Sequence, residues 1–223
     1  MRRLYLVRHG ETEANRLKII QGQNKQQPNY GDYLNSNGEK QAVLLGKALT
    51  NVKFQFVCTS PARRASDTAN TILFHNKHAW RRMPPVENGL LFEVKKGLLE
   101  LDQGIFEGMN DKDAETKYPE LYDLYKTTPS QFTFPQGESI LKAKERVGRV
   151  IERIFWKQPS AENILVVSHG GTIALAFIHI FGLDMDRMYY AIRHNNCAFS
   201  IIKWPSQGAS PRIECMNNTS HLK

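Results

Sequence analysis

The sequence predicts an α/β fold built around a largely parallel sheet. Three short apolar runs, at residues 4–7, 54–58 and 164–167, each lead into polar or small residues and then into a segment with helical periodicity. Strands that alternate with helices in this way are typical of parallel sheets. The chain has 223 residues, of which 41% are hydrophobic and 23% charged, so it fits one globular domain, which we place at residues 1–205.

The helices are predicted from cap residues and from apolar spacing. Ser36-x-x-Glu39 matches a capping box that opens the first long helix. Ser60-Pro61 supplies a cap and a first-turn proline for the helix after the second strand. Apolar residues recur at helical intervals through residues 137–155, with lysines and arginines between them, which predicts a helix with a solvated outer face.

Three segments interrupt this alternation. Residues 21–37 are rich in glutamine and asparagine, which predicts a long loop. Residues 84–135 hold a short apolar run and a helix near 111–126, and we interpret them as an insertion, a small cap over one edge of the sheet. Residues 206–223 form a polar tail with one edge strand at 212–216.

Charge and hydropathy limit the partners. The net charge of +8 predicts attraction to anions in general. Because the basic residues are scattered and no recognition module is visible, we expect no nucleic-acid partner. Residues 163–183 lack charged side chains, but a polar turn at 168–172 divides them, so we expect a buried strand and a buried helix rather than a membrane span.

The cysteines indicate a reducing compartment. Cys58, Cys197 and Cys215 are odd in number and widely spaced, which favours neither a disulfide framework nor a zinc site. No signal peptide is visible in the first residues, so we expect a cytoplasmic protein. The sequence sets no oligomeric state.

Histidines and arginines follow the predicted strands. Arg8 and His9 end the first, Arg64 follows the second by one helical turn, and His169 follows the third. Ligands of open α/β sheets collect at the carboxyl ends of the strands, so these side chains are expected in one crevice. Arginines and helix N-termini bind phosphate, and a neutral imidazole can attack phosphorus. The alternative of two metal-ligating histidines is disfavoured, since no second ligand lies at the close spacing of zinc motifs.

These residues lie in segments that resemble a known family. LVRHGETEAN at 6–15 is similar to the signature of the histidine phosphatase superfamily, in its phosphoglycerate mutase-like branch. SPARRASDTA at 60–69 resembles the family's second arginine element, LELDQGIFEG at 99–108 its acid-bearing loop, and VVSHGGT at 166–172 its second histidine. The resemblance continues in order over about the first 200 residues. It implies a three-layer α/β sandwich.

The resemblance also implies roles for individual residues. His9 would become phosphohistidine, and Glu100 would protonate the leaving oxygen and then activate water. Glu93 lies in a similar Leu-x-Glu setting and is the alternative acid. The other implied site residues fall into two groups: Arg8, Arg64 and His169 would bind the phosphoryl oxygens, and Asn15, Gln21, Gly22 and Gly170 would line the substrate side. No metal or other cofactor is implied.

We therefore expect a histidine acid-type phosphatase: a metal-independent phosphomonoester hydrolase that acts on a phosphorylated small molecule. The alternatives are a 2,3-bisphosphoglycerate-dependent phosphoglycerate mutase and a non-catalytic phosphate-binding module. Mutases typically carry an Arg-His-Tyr run after the catalytic glutamate, which this chain lacks after Glu100. Glu11-Thr12, in place of the Gln-Ser pair common in mutases, also favours the phosphatase.

Overall fold

A six-stranded mixed sheet lies at the centre of the protein. The computed structural model describes residues 2–23, 31–78, 91–157, 160–204 and 210–223. The strands in these ranges are β1 (Arg2–Arg8), β2 (Phe56–Thr59), β3 (Leu91–Val94), β4 (Asn163–Ser168), β5 (Phe199–Trp204) and β6 (Arg212–Asn218). Their order across the sheet is β3-β2-β4-β1-β5-β6.

Four neighbouring strands run parallel, and the last two run antiparallel. β3, β2, β4 and β1 are the parallel set, while β5 pairs antiparallel with both β1 and β6. Arg8 lies opposite Ser168, and Thr59 lies opposite Val167. The carboxyl ends of β1, β2 and β4 are therefore level with one another. The predicted α/β fold with a largely parallel sheet is confirmed.

Helices cover both faces of the sheet. They are α1 (Glu13–Arg16), α2 (Ser36–Ala48), α3 (Arg63–Phe74), α4 (Asp111–Lys117), α5 (Pro119–Thr127), α6 (Ile140–Lys157), α7 (Gly170–Phe181) and α8 (Met185–Met188), with single 3₁₀ turns at Lys96–Leu98, Gly104–Phe106 and Ser220–Leu222. Side chains alternate along β1, so that Leu4 and Leu6 pack in the core on the α6 and α7 face, whereas Tyr5 and Val7 pack in the core on the α2 and α3 face.

Two helix starts differ from the prediction. The α2 cap is Asn35 rather than Ser36, because the Asn35 side chain accepts a hydrogen bond of 2.8 Å from the Gly38 amide. Helix α3 begins at Arg63, two residues after the predicted proline. The Ser60 hydroxyl accepts a weak bond of 3.3 Å from the Ala62 amide but lies outside the helix. Its position places it beside His169.

The structure shows the helices and strands within the predicted insertion and tail. The helix predicted at 111–126 is two helices, α4 and α5, since Pro119 disfavours helical geometry at the residue before it. The apolar run of the insertion is β3, which belongs to the sheet itself. Residues 84–90 of the insertion and 24–30 of the long loop lie outside the described residues. The predicted edge strand at 212–216 is confirmed as β6.

The uncharged segment at 163–183 is a strand, a turn and a helix, as predicted. β4 and α7 occupy it, with His169 between them. In the described ranges, no helix combines the length and the apolar character that crossing a membrane requires.

Candidate active site

Two buried histidines lie side by side at the carboxyl edge of the sheet. His9 follows β1, and His169 caps α7 directly after β4. Because β1 and β4 are paired in register, the two rings come to 5.1 Å between centroids, at 65° to each other. His9 is 3% exposed and His169 is fully buried.

The hydrogen bond of His9 leaves one ring nitrogen free for chemistry. His9 Nδ1 lies 2.7 Å from the Gly10 carbonyl oxygen, to which a protonated Nδ1 donates. Burial, followed by the nearby charges of Arg64 and Arg8, holds the pKa of His9 well below its usual value. The ring is therefore neutral at pH 7, with its lone pair on Nε2, which is the form that can act as a nucleophile.

A buried guanidinium adjoins the histidines. Arg64 is 1% exposed, and its Nε donates to His169 Nδ1 over 3.3 Å. Its Nη2 donates to the Gly22 carbonyl at 2.8 Å, and its Nη1 pairs with the carboxylate of Asp32. Asp32 also accepts a bond of 2.7 Å from the Arg63 amide in the first turn of α3. Two side chains and one carbonyl thus orient this arginine.

The neutral ring of His169 orients Arg64. Its Nδ1 accepts from Arg64, and its Nε2 lies 2.8 Å from the Ser60 hydroxyl, to which it donates. Burial and then the charge of Arg64 keep the pKa of His169 well below its usual value. Both ring nitrogens are engaged within the protein, so in this arrangement His169 orients Arg64.

Arg8 offers a donor to the site. Its Nη1 donates to the His194 carbonyl at 2.7 Å, while its buried Nε has no partner in the part of the chain that the structure describes. Burial lowers the pKa of Arg8, but an arginine remains charged at working pH. A Cβ at Gly170 would lie 3.6 Å from this Nε, so the start of α7 borders the same guanidinium.

The carboxylate of Glu100 is held at the N-terminus of α7. Its Oε1 accepts from the Thr172 amide at 3.0 Å, the Thr172 hydroxyl at 3.1 Å and the Leu101 amide at 3.1 Å. Its Oε2 accepts from the Gly171 amide at 3.1 Å. Glu100 also interacts electrostatically with Arg8. A carboxyl group therefore lies close enough to Arg8 to interact with its charge.

Glu93, the alternative acid, lies elsewhere. It is the third residue of the edge strand β3, its side chain is 42% exposed, and it pairs with Lys95 at 2.5 Å. The structure brings Glu100, and not Glu93, to the start of α7.

The backbone around Glu100 is held by Arg146, which is not among the predicted site residues. Arg146 Nη1 donates to the carbonyls of Gly97 and Leu99 at 2.9 Å each, and Nη2 donates to that of Glu100 at 3.1 Å. Its guanidinium also pairs with Glu138 at 2.6 Å. Glu138 precedes α6 and Arg146 lies in its second turn, so helical periodicity does not relate the two residues and no local sequence signal predicts their contact.

The predicted substrate-side residues divide into two groups. Gly22 contacts Arg64 through its carbonyl, and Gly170 borders Arg8. Asn15 instead receives hydrogen bonds from the Thr12 amide at 3.2 Å and from Asn196 at 2.9 Å. Its oxygen is therefore used to hold the loop after β1.

Gln21 and Gly22 belong to a loop held by internal contacts. Gln21 is 8% exposed and bonds to the Thr12 hydroxyl at 3.0 Å. Gly22 has a φ of +49°, and a Cβ there would collide with the carboxylate of Glu107, which accepts from the Gln23 amide at 2.8 Å. Glu107 thus shapes the loop whose carbonyl meets Arg64.

A cleft adjoins the site. A cleft of about 420 Å³ opens beside Arg8, Gly170 and Gly171. No group of three or more metal-ligating side chains is present within the described ranges.

Comparisons with known proteins agree with this geometry. The family model of the histidine phosphatase superfamily (branch 1) matches residues 4–219. Phosphoserine phosphatase 1 from Hydrogenobacter thermophilus is 28% identical over 206 residues, which are 91% of this chain and 86% of that protein. "Probable phosphoglycerate mutase GpmB" from Klebsiella pneumoniae is 28% identical over 229 aligned positions, covering 100% of this chain and 95% of that protein. The crystal structure of the α-ribazole phosphatase from Shigella flexneri matches with a TM-score of 0.75 and 28% identity, over 97% of this chain and 96% of that one.

Proposed function

Because the chain belongs to the histidine phosphatase superfamily, we propose that it hydrolyses phosphomonoesters through a phosphohistidine formed at His9, as a histidine acid-type phosphatase. One observation carries the proposal. His9 is buried and neutral, its Nε2 has no hydrogen-bond partner among the described residues, and the charges of Arg64 and Arg8 lie near enough to lower its pKa. A nucleophile flanked by fixed cations is suited to phosphoryl transfer, because those charges stabilise the phosphoryl oxygens in the transition state.

The proposed reaction has two halves. His9 Nε2 attacks phosphorus, and the P–O bond to the leaving group breaks as Glu100 gives that oxygen a proton. Glu100 Oε2 suits this transfer, since among the described residues its one hydrogen bond comes from the Gly171 amide. Glu100 then takes a proton from water, which attacks phosphorus and breaks the P–N bond. Inorganic phosphate leaves, and neutral His9 is restored.

The similar proteins indicate the class of substrate. Their names include phosphoserine and α-ribazole phosphatases and a mutase, so we propose a phosphorylated small molecule as the substrate of this chain. The phosphatase is favoured over the mutase because the chain has no Arg-His-Tyr run after Glu100. Three free thiols, at Cys58, Cys197 and Cys215, support a cytoplasmic location.

The first prediction is that a phosphoenzyme can be trapped on His9. The protein should be incubated with ³²P-labelled p-nitrophenyl phosphate and the reaction stopped rapidly without acid. The label on the protein should be stable in base and labile in acid, because P–N bonds hydrolyse in acid. His9→Ala should take up no label, whereas His78→Ala, at an exposed histidine, should label normally. Label that persists in His9→Ala, or activity that EDTA abolishes and a divalent metal restores, would contradict the proposal.

The second prediction separates the two candidate acids. Glu100→Gln should lower kcat/KM by about 10²–10⁴-fold for an alkyl phosphate, whose leaving oxygen needs a proton. The loss should be much smaller for p-nitrophenyl phosphate, whose phenolate leaves unassisted. Glu93→Gln, on the edge strand, should change both rates little. A large, leaving-group-dependent loss in Glu93→Gln alone would reverse the assignment.

A further inference from the structure

The cleft beside Arg8 shares a residue, Gly171, with the binding site of the acid of the proposed reaction. Gly171, which borders the cleft, donates its amide to Glu100 Oε2. Gly170, its neighbour, borders Arg8. An oxygen protonated by Glu100 must lie within hydrogen-bond reach of that carboxyl, so the leaving group attached to it extends into this cleft.

Apolar and aromatic side chains form part of the cleft wall. Tyr189, Tyr190, Ile192 and Ala174 contribute to it, and Tyr189 and Ile192 are buried. Its volume of about 420 Å³ lies in the range of clefts that hold small organic ligands. Space for a leaving group is thus present next to Gly171, which binds the acid.

Two cations line the same cleft without an acidic partner. The Lys126 ammonium lies 4.6 Å from the ring centroid of Tyr190, 5.2 Å from that of Tyr122 and 5.7 Å from that of Tyr125. These rings hold the ammonium in place while leaving its N–H groups free to donate. Arg193 is exposed, and its Nε makes a bond of 3.3 Å to the Tyr190 carbonyl. Neither cation forms an ion pair with a carboxylate of the described residues.

The charge of the lining indicates a singly charged anion. Arg8 serves the phosphoryl group, which leaves Lys126 and Arg193 for the leaving group. Asp111 is the acidic residue of the lining, and it accepts a hydrogen bond from Tyr122. His194, which also lines the cleft, is neutral, because burial lowers its pKa to about 4. Two positive charges and one negative charge leave an excess of one.

We propose that this cleft selects phosphate esters whose leaving group carries a carboxylate, and that Lys126 and Arg193 bind that carboxylate. The inference rests on the proposed function, since it assigns the leaving-group side of the same reaction. A carboxylate matches the single excess charge, whereas a second phosphate would bring close to two negative charges. Charge-assisted hydrogen bonds from Lys126 and Arg193 would distinguish such esters from neutral ones.

The test compares esters that differ by one carboxylate. O-phosphoserine and O-phosphoethanolamine share the ester and the ammonium group, so the ratio of their kcat/KM values isolates the carboxylate. We expect the wild-type ratio to favour phosphoserine at least about tenfold. Lys126→Met and Arg193→Met should each reduce it severalfold, and the double variant should abolish it. Lys126→Arg, which keeps the charge, should retain most of it.

A matched control lies on the neighbouring helix. Lys117, in α4, also has its ammonium near a tyrosine ring, 5.3 Å from the centroid of Tyr118, but does not line the cleft. Lys117→Met should keep the wild-type ratio. Thermal unfolding of every variant, followed by circular dichroism, will show that the variants are folded. A wild-type ratio near one, or equal losses on both esters in Lys126→Met and Arg193→Met, overturns the proposal and leaves the phosphatase function standing.

Binding without turnover separates the two proposals. In His9→Ala, calorimetry should still show tighter binding of phosphoserine than of phosphoethanolamine, and that difference should vanish when Lys126→Met and Arg193→Met are added. If the wild-type protein hydrolyses neither these esters nor p-nitrophenyl phosphate but this difference persists, the proposed function fails and the carboxylate site stands. A second pair, 1,3-propanediol bisphosphate and 3-hydroxypropyl phosphate, tests a second phosphate instead. A larger preference in that pair overturns the carboxylate assignment.

Discussion

Arg64, a proposed ligand of the phosphoryl group, already pairs with a carboxylate of the protein itself, that of Asp32. Asp32 pairs with Nη1 of Arg64 and caps the first turn of α3 through the Arg63 amide. The α3 cap residue, Ala62, has no side chain for that purpose. The Asp32 carboxylate therefore occupies the helix N-terminus, where an anionic ligand commonly binds. Its negative charge also lowers the positive potential that a phosphoryl group would meet at Arg64.

At the residue scale, we predict that Asp32→Asn strengthens the binding of inorganic phosphate. The amide oxygen can still accept from Arg64, but the competing charge is gone. Since Asp32 is about one-third exposed and partly screened, the inhibition constant of phosphate should fall by a factor of about three to ten. Steady-state inhibition of p-nitrophenyl phosphate hydrolysis measures it. Asp67→Asn, which removes an exposed α3 carboxylate paired with Arg63, is the control. Weaker phosphate binding in Asp32→Asn would show that its charge is needed to orient Arg64.

At the scale of elements, the loop that carries Glu100 depends on α6. Arg146 joins three of that loop's carbonyls to the helix, and Glu138 accepts from the Asp102 amide at 2.9 Å. The loop has no regular backbone pairing of its own between the two 3₁₀ turns. The backbone that carries Glu100 is therefore held by one partly buried ion pair, in addition to the hydrogen bonds that its carboxylate accepts at the start of α7.

We predict that Arg146→Met lowers kcat for an alkyl phosphate by about 10- to 100-fold, because the acid is misplaced while the cations remain. The loss should be smaller for p-nitrophenyl phosphate, with KM little changed. Arg146→Lys should not restore kcat, because an ammonium group cannot reproduce the forked donors of a guanidinium. Arg149→Met is the control, since its partner Glu145 lies 3.8 Å away on the exposed side of the same helix. Equal losses on both esters would instead indicate a general structural role.

Sequence patterns predicted the elements well where local chemistry decides the structure. The three runs of apolar residues became β1, β2 and β4, and their ends brought His9, Arg64 and His169 together. The α3 start was predicted wrongly because the Ser60 hydroxyl, a good cap in isolation, is used by His169 instead. Asp32 and Arg146 could not be assigned, because their partners are distant in sequence and are set by tertiary packing.

At the scale of the whole molecule, the buried histidines make folding sensitive to acid. His9, His169 and His194 are all held neutral, and burial is the main cause in each case. A histidine whose pKa is lowered on folding binds its proton more readily in the unfolded chain. Its contribution to stability is therefore present above the unfolded pKa of about 6.5 and is lost as the pH falls toward the folded pKa.

His194 gives the clearest form of this last prediction, because its folded pKa is about 4. Between pH 7 and pH 5 the unfolded chain takes up a proton that the folded protein does not, which lowers the free energy of unfolding by about 2 kcal/mol for this one residue. His194→Gln can retain a hydrogen bond to the Ser200 hydroxyl, which lies 2.6 Å from His194 Nε2, but does not titrate. The free energy of unfolding in urea should fall between pH 7 and pH 5 in both proteins. We expect this fall to be about 2 kcal/mol smaller in His194→Gln than in the wild type, whatever the absolute stability of the variant. His78→Gln, at an exposed position, should follow the wild type. If the free energies of wild type and His194→Gln fall in parallel from pH 7 to pH 5, the pKa of His194 is not lowered on folding.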